Sequence, residues 1–257
     1  MTAEMADLFS LEGRKALVTG ASQGLGRAMA EALAGAGAQV VCAGPRPGDA
    51  EVTVAAIEQA GGRAHALAAD LSERSAVLEL AERAEALTGG IDILVNNAGT
   101  IRRTPAADHA LEDWDLVLRV NLDAVFELSQ RIGRGMIARG GGKIINTASL
   151  LAFSGGITVP GYTASKHAVA GVTKALANEW ARHNINVNAI APGYMVTDNT
   201  QPLRNDAART QEITARIPAG RWGQPSDLAG VVIFLASRAS DYVNGHVLVV
   251  DGGWMAR

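Results

Sequence analysis

From Lys15 to the C-terminus, short runs of β-branched and other apolar residues alternate with longer alanine-rich stretches of helical period, an order that restricts a chain to a parallel sheet covered by helices. The runs lack a polar alternate face, so both sides of the sheet must be covered. The pattern predicts seven strands, at Ala16–Thr19, Gln39–Ala43, Ala64–Ala68, Asp92–Asn96, Lys143–Thr147, Asn186–Ile190 and His246–Val250. Helical period predicts helices over Leu25–Gly35, Ala50–Ala60, Arg74–Leu87, Asp113–Ala138, Tyr162–Arg182 and Asp227–Ser237. No linker, repeat or low-complexity tract marks a boundary, so the expectation is a single doubly wound α/β domain over residues 1–257 with helices on both faces.

Apolar residues at 48% and charged residues at 19% suit a compact globular enzyme rather than a disordered chain. The formal charge of −3 and the absence of a Lys/Arg run remove the electrostatic footprint of a nucleic-acid binder. Cys42 is the sole cysteine, which excludes an internal disulfide and any multi-cysteine metal site. His65, His109, His167, His183 and His246 show no metal-ligand spacing, so no metal is expected. Glu4, Asp7 and Glu12, with no basic residue among them, do not read as a signal peptide, and no apolar run approaches the roughly 20 residues that span a bilayer. A soluble cytoplasmic protein with no membrane partner is expected.

Behind the first strand stands Thr19-Gly20-Ala21-Ser22-Gln23-Gly24-Leu25-Gly26, opening directly into a helix. Glycines permit a tight turn and close approach of backbone to ligand, and the free amides of a new helix attract a diphosphate. Gly20, Ser22, Gln23, Gly24, Leu25 and Gly26 are thus candidate dinucleotide ligands. The stretch also satisfies the G-x-S-x-G elbow of a serine hydrolase, with Ser22 as nucleophile, but too little chain precedes the strand to supply an oxyanion loop. The acid that commonly ends the second strand to bind ribose hydroxyls is replaced by Gly44-Pro45-Arg46. Arg46 suits a 2′-phosphate, and the residues leave NAD and NADP open. Residues of about 13–147 make the cofactor half on this reading, and about 148–257 the catalytic and substrate half. Within the latter, the proline-bearing segment of about 192–223, built around a short helical candidate at Asn205–Arg216, is expected to be a mobile flap.

Tyr162 and Lys166 lie one helical turn apart, on one face at the start of a helix. A free phenol has a pKa near 10, too high for proton exchange at neutral pH, and an adjacent ammonium favours its ionised form. Ser149, at the C-terminal end of the fifth strand, is placed to hydrogen-bond a substrate carbonyl. Asn97, Ala98 and Gly99 close the fourth strand beside the dinucleotide crevice, and Asn121 lies in the long helix that follows.

With these residues the chain resembles the short-chain dehydrogenase/reductase family over essentially its full length. The resemblance implies a Rossmann-type fold and hydride exchange between a nicotinamide cofactor and a secondary alcohol or ketone. It implies a tetrad of Asn121, Ser149, Tyr162 and Lys166, in which Lys166 also holds the nicotinamide ribose and Asn121 a relay water. Asp70 and Leu71 would flank the adenine, while Pro192, Gly193 and Thr197 would contact the nicotinamide. A homotetramer is implied, built on the long helices and the Trp254 region. Ile101–Arg103, Gly155–Pro160, Asn178–Ala181, Gly193–Thr197, Asn199–Gln201 and Ile217–Gly223 are further similar to a subgroup acting on deoxy sugar acids of the 2-deoxy-D-gluconate and 2-dehydro-3-deoxy-D-gluconate type, usually with NAD. A carboxylate-bearing substrate agrees with Arg102 and Arg103, which directly follow the fourth-strand edge. Arg204 and Arg221 are secondary candidates for that carboxylate, with a structural role as the leading reading of each. Reduction of another uronate-derived keto acid, or dinucleotide binding without catalysis, are the alternatives.

Overall fold

The computed structural model describes residues 2–257. Seven parallel strands form one sheet in the order β3-β2-β1-β4-β5-β6-β7, where β1 is Lys15–Thr19, β2 Gln39–Gly44, β3 Arg63–Ala68, β4 Ile93–Asn96, β5 Gly142–Thr147, β6 Ile185–Pro192 and β7 Val247–Val250. Strand order reverses between β1 and β4, which opens a crevice at their C-terminal ends.

Alternation along each strand sends side chains into two separate cores. Ala16, Val18, Val40, Cys42, Ile93 and Val95 pack with Met29 and Leu33 of α2 (Gly24–Gly35) and with Val232 and Leu235 of the last helix. Leu17, Val41, Ala43, Leu94 and Ile144 pack on the other side with Leu80 of α4 (Arg74–Thr88), Leu128, Ile132 and Met136 of α6 (Ala124–Arg139), and Trp180 of α7 (Pro160–Trp180). This double burial is why the strands read as unbroken apolar runs. Burial drives the Cys42 thiol up to about 12, with the Glu31 charge adding to it, so the lone cysteine is inert as a nucleophile.

A buried polar chain ties the layers beneath the crevice. The Asn96 amide donates to the Ser129 hydroxyl at 3.0 Å and to Asn146 Oδ1 at 2.9 Å, and the Asn146 amide donates to Thr173 Oγ1 at 2.9 Å. The register pairing Asn96 with Asn146 across β4 and β5 permits the link.

Three elements depart from the sequence pattern. The expected helix Asp113–Ala138 is two helices, α5 (Leu111–Leu118) and α6, joined by a π turn over Arg119–Asp123. A short helix, α1 (Ala3–Phe9), precedes β1, and its Asp7 carboxylate pairs with Arg238 at 2.8 Å. The segment 192–223 carries α9 (Ala207–Arg216) where a helix was expected and, before it, the unexpected short α8 (Gln201–Arg204), on an apolar cluster built from Ile213, Ile217 and Trp222. Trp222 Nε1 donates to Thr214 Oγ1 at 2.9 Å, and Tyr194 lies between the rings of Trp222 and Trp254 at 5.4 and 4.7 Å. The remaining helices are α3 (Glu51–Gln59) and α10 (Ala229–Ala236). No helix among the described residues is long and apolar enough to cross a membrane.

Candidate active site

At the strand-order reversal lies a cleft of about 520 Å³. The loop from β1 to α2 makes its floor. Gly20 has a left-handed φ of +63°, and a Cβ there would sit 2.9 Å from the Ala98 Cα. A Cβ on Gly26 would overlap the Gly20 carbonyl and the Asn97 amide, so glycine is required at both places. Gln23 caps α2 in an extended conformation without a side-chain bond, which leaves the first amides of the helix for a ligand. Gly20, Ser22, Gln23, Gly24, Leu25 and Gly26 all line the cleft, as do Asp70, Leu71, Asn97, Ala98, Gly99 and Thr197. A cradle with no room for a side chain, set under a helix N-terminus, fits the diphosphate of a dinucleotide.

Several residues expected to touch the cofactor hold the cleft together instead. Asn97 Nδ2 donates to the carbonyl oxygens of Thr19 and Gly20 at 3.0 and 3.2 Å, making its side chain a strut under the glycine loop. The Thr19 hydroxyl, which the sequence reading passed over, accepts from the backbone amides of Asn97 and Ala98, both at 3.0 Å. Pro192 ends β6, and the Gly193 amide donates to the carbonyl of Val250 at the end of β7 at 2.9 Å, so the pair sets the path of the chain behind Thr197 and lies outside the cleft lining. Arg46 is turned to the rim, where its amide and Nε both donate to Asp49 Oδ2 at 3.1 and 3.2 Å. A Cβ at Gly44 would stand 2.9 Å from the Asp49 Cβ, so this turn leaves no room for an acid at the end of β2.

The chemistry-bearing side chains meet at the other end. Pro160 opens α7, and Tyr162 and Lys166 follow on one face, with the ammonium 5.5 Å from the centre of the phenol ring. Lys166 is buried, donates to the Thr147 carbonyl oxygen, and has its pKa pulled down to about 8 by loss of solvent. Burial also pushes the Tyr162 phenol above its ordinary value. What opposes this shift is a hydrogen bond from Ser149 and the charge of Arg103, in that order. Ser149 itself begins a short 3₁₀ turn, where its hydroxyl also accepts from the Leu151 amide at 3.2 Å.

Asn121 sits fully buried in the π turn. Its Oδ1 accepts from the Thr100 amide at 2.8 Å, and its Nδ2 donates to the Thr100 carbonyl and to Ser165 Oγ at 3.0 and 3.2 Å. The side chain therefore splices the loop after β4 to α7, and the wide helical turn is where π bulges commonly mark function. The two adjacent arginines diverge, as an extended segment requires. Arg102 is pinned to Asp113 at 3.0 Å, whereas Arg103 donates to the Asn199 carbonyl at 3.1 Å and bears on Tyr162. Ser22 lies on the floor of the glycine cradle, away from this cluster of proton-handling groups, which disposes of the hydrolase reading.

A dinucleotide cleft that ends in a tyrosine, a serine and a buried lysine defines a nicotinamide-dependent oxidoreductase acting on CH–OH groups. The family pattern described as enoyl-(acyl carrier protein) reductase matches residues 20–255, and the chain belongs to the short-chain dehydrogenase/reductase family. It is 55% identical over 250 residues to the 2-dehydro-3-deoxy-D-gluconate 5-dehydrogenase of Dickeya dadantii, covering 97% of this chain and 98% of that one. A solved structure from Agrobacterium tumefaciens, described as a 2-deoxy-D-gluconate 3-dehydrogenase with bound NADP, is 54% identical with a TM-score of 0.92, covering 98% of this chain and all of that one. A gluconate 5-dehydrogenase from Burkholderia cenocepacia, in complex with NADP and tartrate, is 43% identical with a TM-score of 0.95, covering 98% and 99%.

Proposed function

We propose that this enzyme interconverts a secondary alcohol and a ketone on a deoxy sugar acid of the 2-dehydro-3-deoxy-D-gluconate type. The observation that carries the reading is Arg103, a guanidinium with no acidic partner among the described residues, whose charge reaches the Tyr162 phenol at the cleft end. A substrate held through a carboxylate at Arg103 presents its carbinol to Tyr162. The relatives' printed names support the substrate class, since they act on sugar acids.

When bound, the nicotinamide ring supplies the hydride acceptor or donor. Tyr162 Oη takes the hydroxyl proton in oxidation and returns it in reduction. Ser149 donates to the same oxygen and steadies its developing charge. Lys166, held by the Thr147 carbonyl, keeps a cation behind the phenol and is the candidate for holding the nicotinamide ribose; Asn121 fixes the loop and helix between which a relay water would pass. Thr197, beside Gly24, is the candidate for the carboxamide, and Asp70 with Leu71 for the adenine.

NADP is the cofactor we infer. Its presence in the similar solved structures supports this, and the leaning toward NAD drawn from the subgroup gains no such support. Gly44 leaves no carboxylate to repel a 2′-phosphate, and the nearby acid, Asp49, is engaged by Arg46. Residues of about 13–147 form the cofactor half and about 148–257 the substrate half on this reading. Leu111 and Phe126, exposed on α5 and α6, support self-association through these helices into the expected homotetramer.

Steady-state kinetics with both cofactors against 2-dehydro-3-deoxy-D-gluconate and a panel of keto-deoxy aldonates tests the assignment. Turnover with NADP and a sugar acid is expected, and loss of roughly 10- to 100-fold in kcat/KM on Arg103→Met. No turnover of any sugar acid with either cofactor would overturn it.

A further inference from the structure

Arg103 is one of two guanidiniums that converge on a single turn. The 3₁₀ turn Asp198–Thr200 follows Thr197, and Thr197, Asp198 and Asn199 all border the cleft. Arg103 donates to the Asn199 carbonyl at 3.1 Å, and Arg204, from α8, donates to the Thr197 carbonyl, also at 3.1 Å. Neither pairs with a carboxylate among the described residues, although Arg102 and Arg221 nearby are paired to Asp113 and Asp227. Arg204 is the less satisfied of the two. Its Nε is enclosed with no acceptor, and a guanidinium carries five donors that burial makes costly to leave idle. Asp198 is the only acid in the turn, so two cations meet one anion at a turn whose residues border the cleft, while the two guanidiniums stand behind it, outside the cleft lining.

We infer that Arg204 is a second ligand of the substrate carboxylate, acting with Arg103 at this turn, an inference that rests on the sugar-acid reading above. Two guanidiniums brought to one turn repel each other unless an anion joins them, and a carboxylate with two oxygens satisfies both forks. The arrangement reads the acid end of the substrate from the loop after β4 and from the segment 192–223 at once. Proton handling is left to β5 and α7.

The test compares wild type, Arg204→Met and Arg204→Lys on a keto-deoxy aldonate and on its methyl ester, with NADPH affinity and the melting temperature measured alongside. The expected result is a rise in KM for the acid of roughly 10- to 100-fold in Arg204→Met, with kcat within about twofold and kcat/KM for the ester unchanged. Arg204→Lys should recover part of the loss, as a point charge without the fork does. An equal fall for acid and ester overturns the inference, because it marks Arg204 as a clamp of the turn. Weakened NADPH binding with an unchanged preference for the acid overturns it too, because it assigns the guanidinium to the cofactor. A wild type that prefers the ester overturns the sugar-acid reading and this inference together, whereas an acid preference kept by Arg204→Met overturns this inference alone.

Discussion

Gly26→Ala asks the most of the dinucleotide cradle. The added methyl would overlap the Gly20 carbonyl oxygen and the Asn97 side-chain nitrogen, and even the Gly20 carbonyl carbon would lie at 2.8 Å, well inside the ~3.5 Å of ordinary carbon contact. The floor of the cradle cannot yield downward, because Thr19 is fixed by the amides of Asn97 and Ala98. The glycine loop must therefore shift, and the Asn97 strut loses its bonds to the Thr19 and Gly20 carbonyls. Overpacking of this kind costs about 1–3 kcal/mol and each of the two lost hydrogen bonds about 1 kcal/mol, so relief by displacement of the loop removes about 3–5 kcal/mol from cofactor binding. NADPH affinity, followed by titration calorimetry, should fall by roughly 100- to 4000-fold. Gly35→Ala on the same helix is the control: nothing stands within 4 Å of its Cβ, so it should leave affinity alone and stabilise the fold by up to about 1 kcal/mol. An affinity within threefold of wild type in Gly26→Ala would show that the loop has slack the packing does not, and would refute the reasoning.

Tyr162→Phe should lose roughly 100-fold or more in kcat while NADPH affinity stays put, as stopped-flow turnover and fluorescence titration would show. Because burial raises the phenol's pKa and Arg103 lowers it, kcat/KM for alcohol oxidation should climb with pH into the alkaline range, and Arg103→Met should move that limb upward; a downward move contradicts the assignment. The buried Lys166 releases its proton at about 8 in the folded state, below the ordinary value of 10.5, so the unfolded chain binds the extra proton between those limits. Stability of the cofactor-free protein toward urea should accordingly rise by about 3 kcal/mol from this group as pH climbs from about 8 to 10.5, a rise that Lys166→Met abolishes. Parallel pH curves for the two proteins would count against a buried, cationic Lys166.

Strands were legible because both faces of the sheet are covered, and the runs around Leu17, Val41 and Leu94 contain nothing polar to blur them. The tyrosine, lysine and serine were legible for a different reason, since α7 begins at a proline and helical spacing alone puts Tyr162 and Lys166 together. What stayed hidden was every feature decided by a distant partner. The break falls where the Asn121 side chain accepts from the Thr100 amide, and residues of good helical period give no sign of it. Arg102 and Arg103 look equivalent until Asp113 claims one of them. Asn97 reads as a ligand contact, yet its amide is spent on the glycine loop, and Thr19 stands at the head of the glycine motif with nothing to show that its hydroxyl anchors this corner. Gly44 was seen as a missing acid; that Asp49 fills the space is a fact of the turn's path.

The aromatic cluster under the segment 192–223 shares no buried residue with either sheet-side core. Opening that segment breaks the contacts around Ile213, Ile217 and Trp222 and withdraws Met195 alone from the core under α2 and α10. Such a unit unfolds at a free energy of its own, well below that of the whole molecule. Backbone amides of α8 and α9 should then exchange with heavy water sooner than those of β1 and β4, and equal protection of the two sets would show that the segment opens only with the scaffold.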